Sequence, residues 1–303
     1  MNLRRLTLIC ACVWLASCGP NGAATRLVYE GQATTSPAGF EIWELSIQEG
    51  VATGTPVRLT SHAGDDVDAN WGEAAARITF ASDRAGNFDI YTMDADGSNV
   101  LPLTTDAGMD RFPTWEPNAD HVIFASDRDG DFEIMIMEDT GPRQAQLTSN
   151  NCLDTDPAWS PNGQQIVFVS NCAGGTDLEI FVMNSNGTNP TRLTNRPSMD
   201  DFHPSWSPDG TRIVFESVPS GGSAHVNTKI VVMDANGANQ TVLLTGSVTG
   251  DLVHPAWSPD GDELVVAMVD GSGDYNLYTM PATGGTPQQV ADLPLTQWAP
   301  DWR

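Results

Sequence analysis

The stretch that decides the fold is PSWSPDG, Pro204 to Gly210, followed directly by TRIVFES, Thr211 to Ser217. The chain contains further copies of its tryptophan-centred first half, two of them close and two weaker: PAWSPNG from Pro157, PAWSPDG from Pro255, PTWEPNA from Pro113 and ANWGEAA from Ala69. A unit that returns at a regular interval is the mark of a repeat architecture, in which one supersecondary unit is built several times.

The tryptophans of these copies set the period. They are Trp71, Trp115, Trp159, Trp206, Trp257 and, in the final APDW, Trp302, so the steps are 44, 44, 47, 51 and 45 residues. Within each step, segments rich in β-branched and aromatic residues alternate with Gly, Asn, Asp and Pro, as strands and hairpin turns require. A period of this length predicts a four-stranded propeller blade, and therefore an all-β fold.

The two ends of the chain predict how the ring closes. Before Trp71 the segments TRLVYEG from Thr25, FEIWELSI from Phe40 and VRLT from Val57 supply three strands of a blade that lacks its first strand. The last residues, WAPDW from Trp298, supply a first strand without the rest. Pairing the C-terminal strand with the N-terminal strands gives a six-bladed, monomeric ring with no free sheet edge at the seam.

The N-terminus has the pattern of an export signal. Arg4 and Arg5 precede an apolar run from Leu6 to Leu15 that is too short to span a bilayer. The Leu-Ala-Ser that precedes Cys18 resembles the lipobox of bacterial lipoproteins, which implies lipidation of Cys18; a plain signal peptide is the alternative. We therefore expect a lipoprotein signal peptide at 1–17, a lipid-anchored tether at 18–25 and the propeller at 26–303, on the periplasmic face of the outer membrane.

Cysteine use agrees with export, and the net charge bears on the class of partner. After Cys10, Cys12 and Cys18, the folded part retains only Cys152 and Cys172, which in an oxidising compartment predict one disulfide rather than a metal site. The net charge of −25 argues against a nucleic-acid partner, because binding phosphates requires clustered Lys and Arg. It favours cations or basic partner segments, although solubility alone also explains it.

The repeat resembles the six-bladed propeller of the TolB family, with its WD40-like blades. The resemblance rests on PxWSPDG, an IVF-type strand, SDRDGDFEI from Ser126 to Ile134 and SDRAGNFDI from Ser82 to Ile90, and the closing Leu-Thr. It implies a protein-binding scaffold of the cell envelope. TolB also carries an N-terminal α/β domain, for which the seven residues between Cys18 and the start of the propeller at residue 26 leave no room. The resemblance therefore implies a protein partner but does not identify that partner with the peptidoglycan-associated lipoprotein that binds TolB.

Candidate binding residues follow from counting back from each tryptophan. Five residues before it, with one shifted by a position, stand aspartates that we expect around one mouth of the channel: Asp66, Asp110, Asp154, Asp201 and Asp251. One interpretation is that each caps its own turn through an Asx hydrogen bond. The other is a site for a basic peptide or for Ca²⁺, the cation that carboxylate oxygens suit best.

A second set stands three residues before the tryptophans. It includes Asp156, His203 and His254, and His225 lies in the long loop from Ser217 to Lys229 on the same face. These four residues are candidate ligands of a transition metal, as in propeller-type pectate-fragment lyases that hold manganese with histidines. Polar residues in contact with solvent are the simpler interpretation.

Two functions follow. The first is a non-enzymatic envelope scaffold whose propeller face binds a protein or a basic peptide, with Ca²⁺ as the candidate cofactor. The alternative is a metal-dependent lyase or hydrolase at the histidines; the net charge speaks against an anionic substrate. Propellers serve many functions, so the fold alone does not decide between them.

Overall fold

The structure is a computed structural model that describes residues 25–32, 39–72, 75–172, 177–220, 227–246, 252–269 and 274–290, and the backbone alone of 297–302. The expected signal peptide, Cys18 and most of the tether lie outside these residues. Throughout the described ranges the regular structure is β, with strands β1 (Thr25–Gln32), β2 (Phe40–Gln48), β3 (Val51–Ala52), β4 (Val57–Arg58), β5 (Asp66–Gly72), β6 (Arg77–Ser82), β7 (Asp89–Asp94), β8 (Leu101–Pro102), β9 (Asp110–Trp115), β10 (His121–Ser126), β11 (Glu133–Glu138), β12 (Ala145–Gln146), β13 (Asp154–Trp159), β14 (Gln165–Ser170), β15 (Glu179–Asn184), β16 (Thr191–Arg192), β17 (Met199–Trp206), β18 (Arg212–Pro219), β19 (Lys229–Asp234), β20 (Thr241–Thr245), β21 (Leu252–Trp257), β22 (Glu263–Val269), β23 (Tyr275–Pro281), β24 (Gln288–Gln289) and β25 (Gln297–Trp302).

The strands form six antiparallel sheets, which confirms the six-bladed propeller. Blade 1 combines β25 with β1 to β4, and blades 2 to 6 are the successive groups of four, β5–β8, β9–β12, β13–β16, β17–β20 and β21–β24. Strand β25 pairs antiparallel with β1, with Trp302 opposite Leu27 and Gln297 opposite Gly31. The ring is therefore closed by the two ends of the chain, as the sequence predicts.

The repeated tryptophans pack between blades. Five of them, Trp71, Trp115, Trp159, Trp206 and Trp257, are between 2% and 6% exposed. Trp206, for example, shares a cluster with Val167 and Ile180 of blade 4 and with Ile213 of its own blade. The indole of Trp257 also donates to the Ser205 carbonyl of the preceding blade at 3.1 Å. The tryptophans thus build the ring, as their presence in every blade predicts.

The Leu-Thr that ends a blade has two structural roles. In blades 1 to 4 the threonine hydroxyl accepts the backbone amide at the start of the third strand, as Thr194 does from Ile180 at 2.9 Å. The leucine carbonyl lies against a turn glycine of the next blade: a Cβ on Gly187 would stand 2.4 Å from the Leu147 oxygen. Gly187 also has φ +81, so the Asn-Gly turn requires glycine for two reasons.

Blade 4 contains the predicted disulfide. Cys152, just before β13, is bonded to Cys172, just after β14, with a Cα–Cα distance of 5.3 Å. The bond links the entry of the innermost strand to the loop that follows its neighbour. Among the described residues no helix has the length and apolar character that a membrane-spanning segment needs.

Candidate functional site

Each blade's innermost strand is bulged at the same place. The residue three before the tryptophan has positive φ in blades 2 to 6, between +48 and +55, at Asp68, Phe112, Asp156, His203 and His254. The pairing register with the second strand shifts there, as between Phe202 and Ser205 in blade 5. A bulge re-aims side chains and frees a backbone amide from the ladder. Counting three residues back from each tryptophan therefore locates the bulge as well as the candidate side chains.

The freed amides are bound by carboxylates of the preceding blade. The Asp68 amide donates to Glu30 of blade 1, and the Phe112 amide donates to Asp68 at 3.1 Å. The same contact joins the His203 amide to Asp156 at 3.5 Å and the His254 amide to Glu216 at 3.2 Å. We call these four carboxylates, Glu30, Asp68, Asp156 and Glu216, the channel carboxylates. They join four of the blade junctions through side-chain to backbone hydrogen bonds.

A buried arginine balances two of them. The Arg111 guanidinium is 6% exposed and bonds Asp68 with two nitrogens, one of them 3.1 Å from Oδ1. Its plane also lies over the rings of Phe88 at 4.6 Å and Phe112 at 4.9 Å. Burial raises the pKa of Glu30 well above its ordinary value, and the Asp68 charge adds to the shift. Arg111 therefore supplies a permanent positive charge to a carboxylate pair that burial disfavours.

A histidine occupies the corresponding place beside the other two. His203 Nδ1 lies 3.2 Å from Glu216 Oε2, and its Nε2 lies 3.7 Å from Asp156 Oδ2. The ring of His254 stacks on it with a centroid distance of 3.7 Å. Burial opposes charge on His203, but Asp156, Glu216 and Asp68 outweigh burial and raise the pKa of His203. Burial also raises the pKa of Asp156.

The described rim aspartates are buried, and Asp66, Asp110 and Asp154 are bound within their own blades. Asp66, Asp110, Asp154 and Asp201 are all at most 1% exposed. Asp66 accepts from Ser82 at 2.5 Å and pairs with Arg84 at 2.7 Å, and Asp154 accepts from the Asn150 side-chain Nδ2 at 2.7 Å. These contacts join the start of the innermost strand to the adjoining loops. Asp251 lies outside the described residues.

The arginines of the Ser-Asp-Arg loops hold two of these aspartates. Arg84 bonds Asp66, and Arg128 bonds Asp110 at 3.1 Å. The neighbouring Asp83 and Asp127 accept the backbone amides of Asp65 and Met109.

Blade 5 reaches a similar arrangement from another loop. Arg196, which precedes β17, donates to Ser217 at 3.1 Å and lies over the Phe215 ring at 5.6 Å, much as Arg84 lies over Phe80 at 5.2 Å. Burial raises the pKa of Asp201 to about 7, against the opposing effects of Ser217, Thr194 and Arg196.

The structure brings three of the four candidate metal ligands together. His203, His254 and Asp156 share the channel cluster, while His225 lies outside the described residues. Over the described ranges, no three His, Cys, Asp or Glu side chains form a group that could hold a metal ion. The two imidazoles meet face to face, and His203 is bonded to carboxylates. His62, another histidine of this face, is exposed.

Sequence reasoning missed Glu30, Glu216 and Arg111. Glu30 and Glu216 stand at equivalent positions of their second strands. The other blades have alanine or valine there: Ala81, Ala125, Val169 and Ala267. That break in the template was the available signal. Sequence reasoning also missed a set of half-buried apolar side chains near the starts of the innermost and third strands. We call this set the face ring: Phe40, Phe88, Phe112, Phe132, Leu178 and Phe202.

Comparison with known proteins agrees with this architecture. The model of the TolB β-propeller domain family matches residues 41–175. No curated protein matches the sequence. TolB from Acinetobacter baumannii superposes with a TM-score of 0.77 at 22% identity, over 91% of this chain and 66% of that one, so this chain spans less than two thirds of that TolB.

Two further structures share the fold. A TolB candidate from Agrobacterium tumefaciens gives a TM-score of 0.61 at 19% identity, covering 82% of this chain and 98% of that one. An oligogalacturonate lyase in complex with manganese gives 0.59 at 16% identity, covering 88% and 73%. These identities establish a shared fold and no more. By its blades and its closure, the chain is a six-bladed β-propeller. Its repeats make it TolB-like.

Proposed function

We propose that the chain is a non-enzymatic scaffold of the cell envelope, held by a lipid on Cys18, whose propeller binds a protein or a basic peptide on the face that carries the face ring. The observation that carries the proposal is that the described acidic side chains are bound within the protein whereas the apolar ones beside them are partly exposed. The rim aspartates and channel carboxylates hold loops and blade junctions, while Phe132, Phe202 and Leu178 remain partly exposed beside them.

The chemistry of this face suits a peptide with apolar and basic side chains. The face ring offers apolar contact around the Arg111 stack, and aromatic side chains supply much of the energy of protein interfaces. A net charge of −25 speeds the approach of a positively charged partner. Likeness to TolB supports an envelope setting and a protein partner. Ca²⁺ is the proposed cofactor only where a partner adds oxygen ligands to the rim.

A crosslinking experiment tests the binding face. A photo-crosslinking amino acid replaces Phe132 in one variant of the full chain and Thr188, in a turn on the opposite face, in the other. We expect a discrete crosslinked protein in envelopes from cells expressing the Phe132 variant and none with the Thr188 variant. Equal crosslinking at both positions, or none at Phe132, would contradict the proposal. Loss of the crosslink on chelation of calcium would support the proposed cofactor.

Two measurements address the anchor and the enzymatic alternative. Mass spectrometry of the purified chain should show a diacylglycerol-modified Cys18 as the first residue, and Cys18→Ser should release the protein from membranes. Metal analysis of the same preparation tests the alternative, since stoichiometric manganese, iron or zinc that disappears in His203→Ala would favour a metal-dependent lyase or hydrolase.

A further inference from the structure

Four junctions between neighbouring blades carry the same two acidic positions. One residue stands at or next to the start of a blade's third strand, and the other is the rim aspartate of the following blade. The pairs are Glu41 and Asp66, Asp89 and Asp110, Glu133 and Asp154, and Glu179 and Asp201. All of these residues are at most 2% exposed. Carboxylates buried to this degree need a counter-charge or hydrogen bonds to offset the loss of water.

Arginines of the chain supply a counter-charge at three of these junctions. The ion pairs are Arg58–Glu41, Arg84–Asp66, Arg128–Asp110 and Arg192–Glu179. These arginines occupy two positions of the repeat, either directly before the Leu-Thr or at the end of the Ser-Asp-Arg loop. Arg196 stands at a third position, two residues after the Leu-Thr of blade 4, and its charge acts on Asp201.

The junction between blades 3 and 4 has an uncharged residue at each of the three arginine positions. These residues are Gln146, Asn150 and Cys172. No ion pair among the described residues includes Glu133 or Asp154. The chain therefore keeps both carboxylates at this junction and omits the cation.

The two carboxylates are only partly satisfied by hydrogen bonds. The backbone amide of Asn150 donates to Glu133 Oε1, and Asn150 Nδ2 donates to Asp154 Oδ2 at 2.7 Å. In the part of the chain that the structure describes, Glu133 Oε2 and Asp154 Oδ1 are buried without a hydrogen-bond partner, and so is Oδ2 of the nearby Asp131. Burial raises the pKa of Glu133, and the charges of Asp154 and Asp131 add to the shift, while Asn150 and Thr148 oppose it.

We propose that this site, which we call the open junction (Asp131, Glu133 and Asp154), receives an arginine side chain of the protein partner. The inference rests on the proposed function and specifies the chemistry of the partner. A guanidinium would take the place that the chain's own arginines hold in other blades, and its planar fork suits two carboxylate oxygens.

The surroundings of the open junction fit an incoming side chain. Asn150 is exposed, so rotation of its side chain uncovers Asp154. Phe132 of the face ring stands between Asp131 and Glu133 in the chain, which places apolar contact beside the charge. A guanidinium fits better than a metal ion, because the described residues contain no group of three His, Cys, Asp or Glu able to hold one.

Binding of a small guanidinium probe tests the site directly. N-acetylargininamide carries one guanidinium and no other charge, and it is titrated into the full chain labelled with ¹⁵N. We expect saturable shifts of the Asn150 side-chain amide and the Phe132 backbone amide, and Glu133→Gln should weaken binding about tenfold. The absence of saturable shifts, or unchanged affinity in Glu133→Gln, would overturn the proposal. The same shifts with calcium chloride alone would make the site a metal site and overturn it too.

An arginine of the chain's own should close the site. Gln146→Arg restores the residue that Arg58 and Arg192 provide in blades 1 and 4, so it should abolish the probe shifts. Gln164→Arg is the matched control, because Gln164 is exposed and its carbonyl accepts the Ser185 amide beside the turn of the opposite face, and it should bind the probe like the wild type. Undiminished probe binding in Gln146→Arg would contradict the proposal.

The same two variants separate this inference from the proposed function. When combined with the photo-crosslinking residue at position 132, Gln146→Arg should reduce the crosslinked protein several-fold, and Gln164→Arg should not. A crosslink that persists in Gln146→Arg would overturn the open junction and leave the proposed binding face intact. The absence of any crosslink at position 132 in the wild-type background would overturn the proposed function, and the partner's arginine with it, even if the probe binds.

Discussion

At the scale of single residues, backbone conformation explains much of what the repeat conserves between its own copies. The third residue of the Pro-Asp-Gly turn has positive φ, as in Gly210 with φ +69, and so has the Asn-Gly turn at Gly187. In blade 3 alanine occupies the first of these positions, Ala119 with φ +59. The Pro-Asp-Gly turn therefore tolerates a Cβ at a cost, whereas the Asn-Gly turn has no space for one.

Substituting two glycines separates conformation from crowding. Gly210→Ala should cost about 1 kcal/mol of unfolding free energy, because the nearest atom to its new Cβ is the Pro161 side chain at 3.7 Å and only the left-handed conformation is penalised. Gly187→Ala should cost clearly more, about 2 to 4 kcal/mol, since the Cβ meets the Leu147 carbonyl. Urea denaturation of both variants measures the difference. Equal losses would show that the Leu-Thr contact is not tight.

A second residue-scale prediction concerns Asp201. Its pKa of about 7 exceeds the ordinary aspartate value of about 3.9, so its contribution to stability is complete below about pH 4 and is lost as the pH rises through about 7. The stability of Asp201→Asn relative to the wild type should therefore be higher at pH 8 than at pH 5. Melting temperatures at the two pH values measure it, and a constant difference between the two proteins would contradict the assigned pKa.

At the scale of strands and loops, the blades share one plan but fasten their loops differently. Blades 2 and 3 use an arginine from the loop after the second strand, blade 5 uses Arg196 from the loop before its first strand, and blade 4 uses the disulfide. Each fastener ties the start of the innermost strand to the adjoining loop. The contact is common to these blades, but the side chains that make it differ from blade to blade.

The contribution of the disulfide to the free energy of unfolding can be measured. Replacing both Cys152 and Cys172 by serine should lower the free energy of unfolding by about 3 kcal/mol, the value that chain entropy gives for a closed loop of this size. The wild-type chain unfolded in a reducing agent serves as the matched control and should show the same loss. A double variant as stable as the oxidised wild type would mean that blade 4 does not rely on this bond.

The sequence predicted the architecture well because its signals are local. The tryptophan period, the turn residues and the split blade each lie within a few residues of one another, and the strands confirm them. The site was predicted only in part. Counting from the tryptophans located Asp156, His203 and His254, but Glu30, Glu216 and Arg111 reach the cluster from different blades. The break in the repeat at Glu30 and Glu216 marks these positions, but the partners they meet do not appear in a linear pattern, since Glu216 binds the His254 amide 38 residues away.

At the scale of the whole molecule, closure depends on one short strand. Strand β1 lies between β25 and β2, so without β25 the inner edge of β1 would present unpaired amides and carbonyls to solvent. Deleting Trp298 to Arg303 should therefore open the ring and lead to aggregation or loss of the cooperative melt, as followed by size-exclusion chromatography and thermal denaturation. A truncated chain that melts like the wild type would contradict closure through β25.

A circular permutant provides the complementary test. Because Trp302 lies opposite Leu27 in an antiparallel pair, the end of β25 stands beside the start of β1. A short Asn-Gly hairpin from Arg303 to Thr25, with new ends in the Asn-Gly turn at Asn186, would make blade 1 continuous. The permutant should remain monomeric, and deleting β25 from it should again open the ring, because the strand and not the position of the chain ends supplies the closure.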